Sequence, residues 1–96
     1  MSSYFVAQIT IRDQTKYEKY LEGFDALFGK YQGSVIAVDD HPEILEGRWP
    51  HGRFVLIRFP NKRELRRWYE SSEYQQLART RQQAADSTIL LVGGRD

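Results

Sequence analysis

The sequence predicts an α+β domain in which one four-stranded antiparallel sheet carries helices on a single face, in the order β-α-β-β-α-β. Three observations carry this expectation. Tyr4 to Ile11 and Phe54 to Phe59 are β-rich runs whose side chains alternate between two faces. Tyr17, Tyr20, Leu21, Phe24, Leu27, Phe28 and Tyr31 recur at three- and four-residue steps, the spacing of one apolar helical stripe. Two further apolar stretches, Ser34 to Asp39 and Thr88 to Val92, supply the second and last strands. This order is that of the ferredoxin-like fold.

Taken in order, the first strand places Phe5, Ala7, Ile9 and Ile11 on one face and Tyr4, Val6, Gln8 and Thr10 on the other. Asp13 to Thr15 starts the first helix, Thr15 and Glu18 having capping-box spacing, and Gly33 is the expected C-cap. The second strand is built on Val35, Ile36 and Val38. Ile44 to Gly47 reads as a short strand or an irregular crossing, and Trp49 to Gly52 as a turn. Phe54 to Phe59 is apolar enough on both faces to be buried on both, and Pro60 stops it. Asn61 with Glu64 caps a helix carrying Leu65, Trp68 and Tyr69; Ser72 with Gln75 restarts it through Tyr74, Leu77, Ala78 and Arg81. Asp86 and Ser87 mark the exit, and Gly93 to Asp96 is expected to be a loose tail.

The 96 residues are read as one domain, 1–96, with a small core that pairing to a second copy would enlarge. Hydrophobic residues make up 41% and charged residues 28%, the balance of a folded soluble chain. A formal net charge of +1 gives no long-range field for nucleic acid or membranes. With no cysteine there is no disulfide and no thiolate chemistry. No signal-peptide pattern or 18-residue apolar run appears, so a cytoplasmic location is the default expectation.

Asp13 with Tyr17 and Tyr20, Leu45-Glu46-Gly47, Phe59-Pro60, Trp68-Tyr69 with Ser72, Glu73 and Tyr74, Arg81 and Gly93 form an ordered set along nearly the whole chain. The set resembles the family called domain of unknown function 1330, within the dimeric α/β-barrel group. The resemblance implies a ferredoxin-like protomer whose sheet faces that of a second copy, and brings no known reaction. Two positions depart from the family pattern: Arg58 stands where a glutamate is usual near the end of the third strand, and Gln32-Gly33 where a Gly-Gly pair is usual. Neighbouring branches of the group include cofactor-independent oxygenases and isomerases, an analogy of fold only.

Helices on one face leave Tyr4, Val6, Gln8, Thr10, Leu56 and Arg58 on the other, too apolar for open solvent and too polar for a sealed core. Tyr4, Gln8, Asp13, Glu46, Arg58 and Trp68 are the candidates for a pocket between sheet and helices or between protomers, with Arg58 supplying its charge and Glu46 orienting it. Two readings stand open: Glu46 and Arg58 form a structural ion pair or dimer contact, or they face a ligand. Trp68, Tyr69 and Tyr74 have the spacing of core residues, and Asp13 suits a helix start. Asp39, Asp40, His41, Glu43 and His51 hold metal-binding atoms without metal-binding spacing. No nucleophile elbow, phosphate loop or dinucleotide fingerprint is present. This leaves cofactor-free chemistry on a small organic molecule, with a purely structural or protein-interaction homodimer as the alternative. RNA-recognition domains share the element order, but Arg53 falls where their third strand requires an aromatic, and Lys62, Arg63, Arg66 and Arg67 lie on a helix away from the sheet face.

Overall fold

The structure, a computed structural model, describes residues 1–50 and 52–96. Its elements are β1 (Ser3–Ile11), α1 (Gln14–Phe28), β2 (Ser34–Asp39), β3 (Arg53–Phe59), α2 (Lys62–Tyr69), α3 (Ser72–Ala84) and β4 (Ala85–Gly93). The strands form one antiparallel sheet in the order β2-β3-β1-β4, the expected ferredoxin-like arrangement. Alternation along β1 buries Phe5, Ala7 and Ile9 under the helices and leaves Tyr4, Val6, Gln8 and Thr10 half-buried on the opposite face. Among the described residues, no helix is long and apolar enough to cross a membrane.

Local hydrogen bonding decides the element boundaries. Asp13, in extended backbone, caps α1 by accepting from the Lys16 N–H at 3.1 Å, so Thr15 lies inside the helix instead of capping it. The reason lies across the fold: the Arg12 and Asp13 N–H groups both donate to the Ala84 carbonyl, at 2.8 and 3.0 Å, and anchor the turn ahead of Thr15. The helix ends at Gly29 and not at Gly33. Gly33 answers to crowding, since a Cβ there would stand 2.8 Å from the Phe59 ring and also strike Phe28.

Asn61 Oδ1 accepts from the Glu64 N–H at 2.9 Å and starts α2 where the sequence places it. The cap of α3 is Ser71, one residue before the expected Ser72. Its Oγ accepts from the Tyr74 N–H at 3.0 Å and donates to the Trp68 carbonyl at 2.7 Å, closing both helices at one hydroxyl. Ala85 is already extended (φ −154°, ψ 156°), so Asp86 and Ser87 belong to β4 and no exit loop intervenes. The tail is tied down: Asp96 accepts from the Ser2 N–H and Oγ at 3.0 and 2.8 Å, and the Gly94 N–H donates to the Ser2 carbonyl at 2.7 Å. Ile44 to Gly47 is an irregular crossing.

The core is centred on Trp68, which is fully buried and lies 4.3 to 5.5 Å, centroid to centroid, from the rings of Tyr74, Phe5, Phe59 and Phe28. Burying each such side chain contributes on the order of 1.5–3 kcal/mol. One irregularity shapes the sheet edge. The register of β2 on β3 slips between Val35 and Ala37, so Val35 (opposite Ile57) and Val38 (opposite Val55) both face the helices while Ile36 is the extra residue. On the other face, Ala37, Leu56, Val6 and Leu90 make one cross-strand row, and Ser34, Arg58, Tyr4 and Val92 the next. The expected burial of β3 on both faces is not met within one chain: Phe54 and Leu56 are half-buried and Arg58 is exposed.

Candidate functional site

Tyr17 and Tyr20 stand one turn apart on α1, and Tyr74 and Arg81 two turns apart on α3, so each pair shares a helix face. Arg53 opens β3 opposite Ile9 of β1, on the same side of the sheet. Packing α1 and α3 on this side brings the five residues together. Tyr17, Tyr20, Arg53 and Arg81 line a cavity of about 160 Å³, floored by Phe5, Ala7, Ile9, Val55, Ile57 and Ile89. Tyr74 stands behind Tyr20, hydroxyl to hydroxyl at 2.7 Å. The Arg53 guanidinium lies 5.5 Å from the Tyr17 ring centroid, and that of Arg81 lies 6.0 Å from that of Tyr20.

The two arginines differ in their partners. Arg53 is bound at 2.7 Å by the exposed Asp40 carboxylate. Arg81 is 3% exposed, and among the described residues no carboxylate lies within salt-bridge distance of it. Arg81 Nε and Arg53 Nε are both buried without a hydrogen-bond partner, as is Ser87 Oγ. Two of the three residues are related by the sheet: Arg53 and Ser87 flank Ile9 in one row across β3, β1 and β4, while Arg81 comes from α3. The exposed Asp25 is the acidic residue along the cavity lining.

Burial raises the pKa of Tyr17 against the opposing pull of Arg53. It raises Tyr20 well above the ordinary 10.0, with Tyr74 adding to the effect, and it raises Tyr74 despite Arg81 and Tyr20. Burial also works against the charge of Arg81, and Tyr74 and Tyr20 outweigh it, so that pKa is raised. All three phenols are therefore neutral near pH 7, and among the described residues the Arg81 cation has phenol dipoles and no carboxylate as its neighbours. Such a site donates hydrogen bonds and holds a positive potential, the chemistry of an anion receptor.

The residues singled out from the sequence do not gather in this cavity. Tyr4, Gln8 and Arg58 lie on the open sheet face, and Glu46 is exposed in the β2–β3 connection. Arg58 makes no pair with Glu46; it donates to Ser2 Oγ at 2.9 Å and lies 3.9 Å from Asp96. Strand pairing fixes Arg58 beside Tyr4 of β1, where Ser2, just ahead of the strand, and Asp96 of the tail are its partners. Asp13 is spent on its cap and Trp68 is core. Of the metal-type residues, Asp39 accepts from the His41 N–H at 2.9 Å and Asp40 holds Arg53, while His51 lies outside the described residues. The cavity arginine had one sequence signal: Arg81 is a charged residue on the apolar stripe of Tyr74, Leu77 and Ala78.

The model of the domain of unknown function (DUF1330) family matches residues 2–95 of the chain. A protein of unknown function from Rhodopseudomonas palustris is similar in structure, with a TM-score of 0.78 at 15% identity over 99% of this chain and 83% of that one. SnoaB, a cofactor-independent oxygenase from Streptomyces nogalater, has a TM-score of 0.67 at 18% identity over 99% of this chain and 94% of its own. An antibiotic biosynthesis monooxygenase covers 100% of both chains with a TM-score of 0.57 at 15% identity. At these identities the likeness shows the fold alone. No curated protein matches the sequence at a significant level.

Proposed function

The chain belongs to the domain of unknown function (DUF1330) family, and from that premise we propose that the helix-side cavity binds or transforms a small organic molecule bearing an anionic group, without a cofactor. One observation carries the reading: a guanidinium, Arg81, is buried against the cavity with an unpaired Nε and, among the described residues, no carboxylate within salt-bridge distance. An unpaired buried ion loses several kcal/mol of hydration, so a ligand anion is the partner that offsets the loss. The fold analogy points the same way, since SnoaB, a cofactor-independent oxygenase, is built on this architecture. A thermal-shift screen against small carboxylates, phenols and quinones tests it. A ligand at a hundred times its Kd adds about 2.7 kcal/mol, several degrees for a domain of this size, and the shift should vanish in Arg81→Gln. Silence across the anions, with the protein folded, rejects the reading.

A second reading concerns assembly. The row Ala37, Leu56, Val6 and Leu90 leaves an apolar band on the open sheet face, with Leu90 52% exposed and Val92 40%. We propose that a second copy covers it, sheet against sheet in a barrel, which places Tyr4, Gln8 and Arg58 at the seam. Light scattering is the check: a monomer of 11.3 kDa at micromolar concentration defeats the homodimer.

A further inference from the structure

The cavity's size, its charge and the position of its mouth together narrow what it accepts. At about 160 Å³ it matches the roughly 150 Å³ apolar cavity that holds one benzene molecule, so a second fused ring would project through the mouth. Its floor is aliphatic and aromatic, with Phe5, Ile9, Val55, Ile57 and Ile89 presenting no polar atom. The polar side chains of the lining are Tyr17, Tyr20, Arg53, Arg81 and the exposed Asp25, and of the two arginines Arg81 is the one without a counter-ion among the described residues. A single negative charge balances that site, whereas a second would meet no free cation among the described residues of the lining. Val35 and Val38 also line the cavity, yet they are 46% and 47% exposed, so it opens at the β2 edge. A second, wider cleft adjoins it at Tyr17, Leu21 and Arg53 and continues past His41 and Gly52 to solvent.

We infer that the ligand of this cavity is a single-ring monoanion of the benzoate or phenolate class, its anionic group beside the Arg81 guanidinium and its ring over the floor of Phe5, Ile9, Val55 and Ile89. The inference rests on the reading of this cavity as the functional site and adds the substrate class to it. A ring suits the cavity better than an open chain of equal volume. It is already rigid, and ordering a flexible chain would cost rotational freedom that the small apolar surface returns only in part.

Calorimetric titration of the intact chain with benzoate, benzamide, 2-naphthoate and hexanoate tests the assignment. Benzoate should bind, and benzamide, of equal shape without the charge, should bind at least about tenfold more weakly. Naphthoate should bind more weakly than benzoate. Arg81→Gln should abolish the preference for benzoate over benzamide. Val55→Phe, which places a ring in the cavity, should abolish benzoate binding with an unchanged circular dichroism spectrum, and so keeps the test decisive if the Arg81 variant does not fold. Benzamide equal to benzoate, or naphthoate equal to it, overturns the class. Hexanoate binding ahead of benzoate and lost in Val55→Phe also overturns the class while leaving the cavity as a ligand site. No binding by any of the three anions removes both the class and the site beneath it.

Discussion

The hydroxyls of Tyr20 and Tyr74 meet at 2.7 Å inside the protein, one carried by α1 and the other by α3. Each satisfies the other where no solvent reaches, and together they form the wall behind the Arg81 guanidinium. Removing either oxygen takes away the hydroxyl partner of the other. Tyr20→Phe and Tyr74→Phe should each lower stability by about 1–3 kcal/mol in urea unfolding, and the double variant by clearly less than the sum. Strictly additive losses would show that the two hydroxyls do not rely on each other.

Arg81 is expected to serve ligand binding at the expense of stability. Arg81→Met keeps the length and apolar body of the side chain and removes an unbalanced buried charge. The ligand-free variant should be as stable as the parent to within about 1 kcal/mol, or more stable, while benzoate no longer raises its Tm. A loss above about 3 kcal/mol, measured by denaturant unfolding, would mark Arg81 as structural.

Stability should fall in alkali. Tyr17, Tyr20 and Tyr74 have pKa values raised above the ordinary 10.0 in the folded chain. In the unfolded chain they ionise near that value. Below about pH 10 both states keep the protons and nothing is lost; above it the unfolded state sheds protons that the folded state retains, so unfolding is favoured until the raised values are passed. A titration following tyrosinate absorbance should show late, cooperative ionisation coinciding with loss of helical circular dichroism. Early, gradual ionisation of all tyrosines would contradict it.

Two glycines should respond oppositely to alanine. At Gly33 the new methyl would stand 2.8 Å from the Phe59 ring and overlap Phe28, so Gly33→Ala should cost about 1–3 kcal/mol. At Gly29, which is right-handed (φ −60°) with nothing within 4 Å of a Cβ, alanine should add about 0.4–1 kcal/mol by restricting the unfolded chain. Midpoints of thermal unfolding moving in the same direction would refute the contrast.

Leu56 lies in the centre of the open sheet face, opposite both Val6 and Ala37. If a second copy covers this face as proposed, Leu56→Asp should convert that dimer to a monomer in light scattering with little change in protomer circular dichroism, because the side chain points away from the core. A dimer that survives the substitution would place the interface elsewhere.

Local pattern by itself determined much of this protein: the order of strands and helices, the face of β1 that enters the core, the aromatic stripe of α1 and the family. The family rests on an ordered set of residues along the chain; the others are set by neighbours a few residues apart, through the two-residue period of strands and the three-to-four-residue step of helices. Capping was fixed less closely, because the choice of Asp13 over Thr15 depends on the Ala84 carbonyl and that of Ser71 over Ser72 on where α2 ends. Tertiary structure alone decided the site. Tyr17, Arg53 and Arg81 are far apart in the chain and no spacing rule joins them; they meet because α1 and α3 cross the same face of a sheet whose register sets Arg53 beside Ile9. It also parted Glu46 from Arg58, because charge alone attracts only at short range in water, and the strand geometry holds Arg58 beside Ser2 and Asp96.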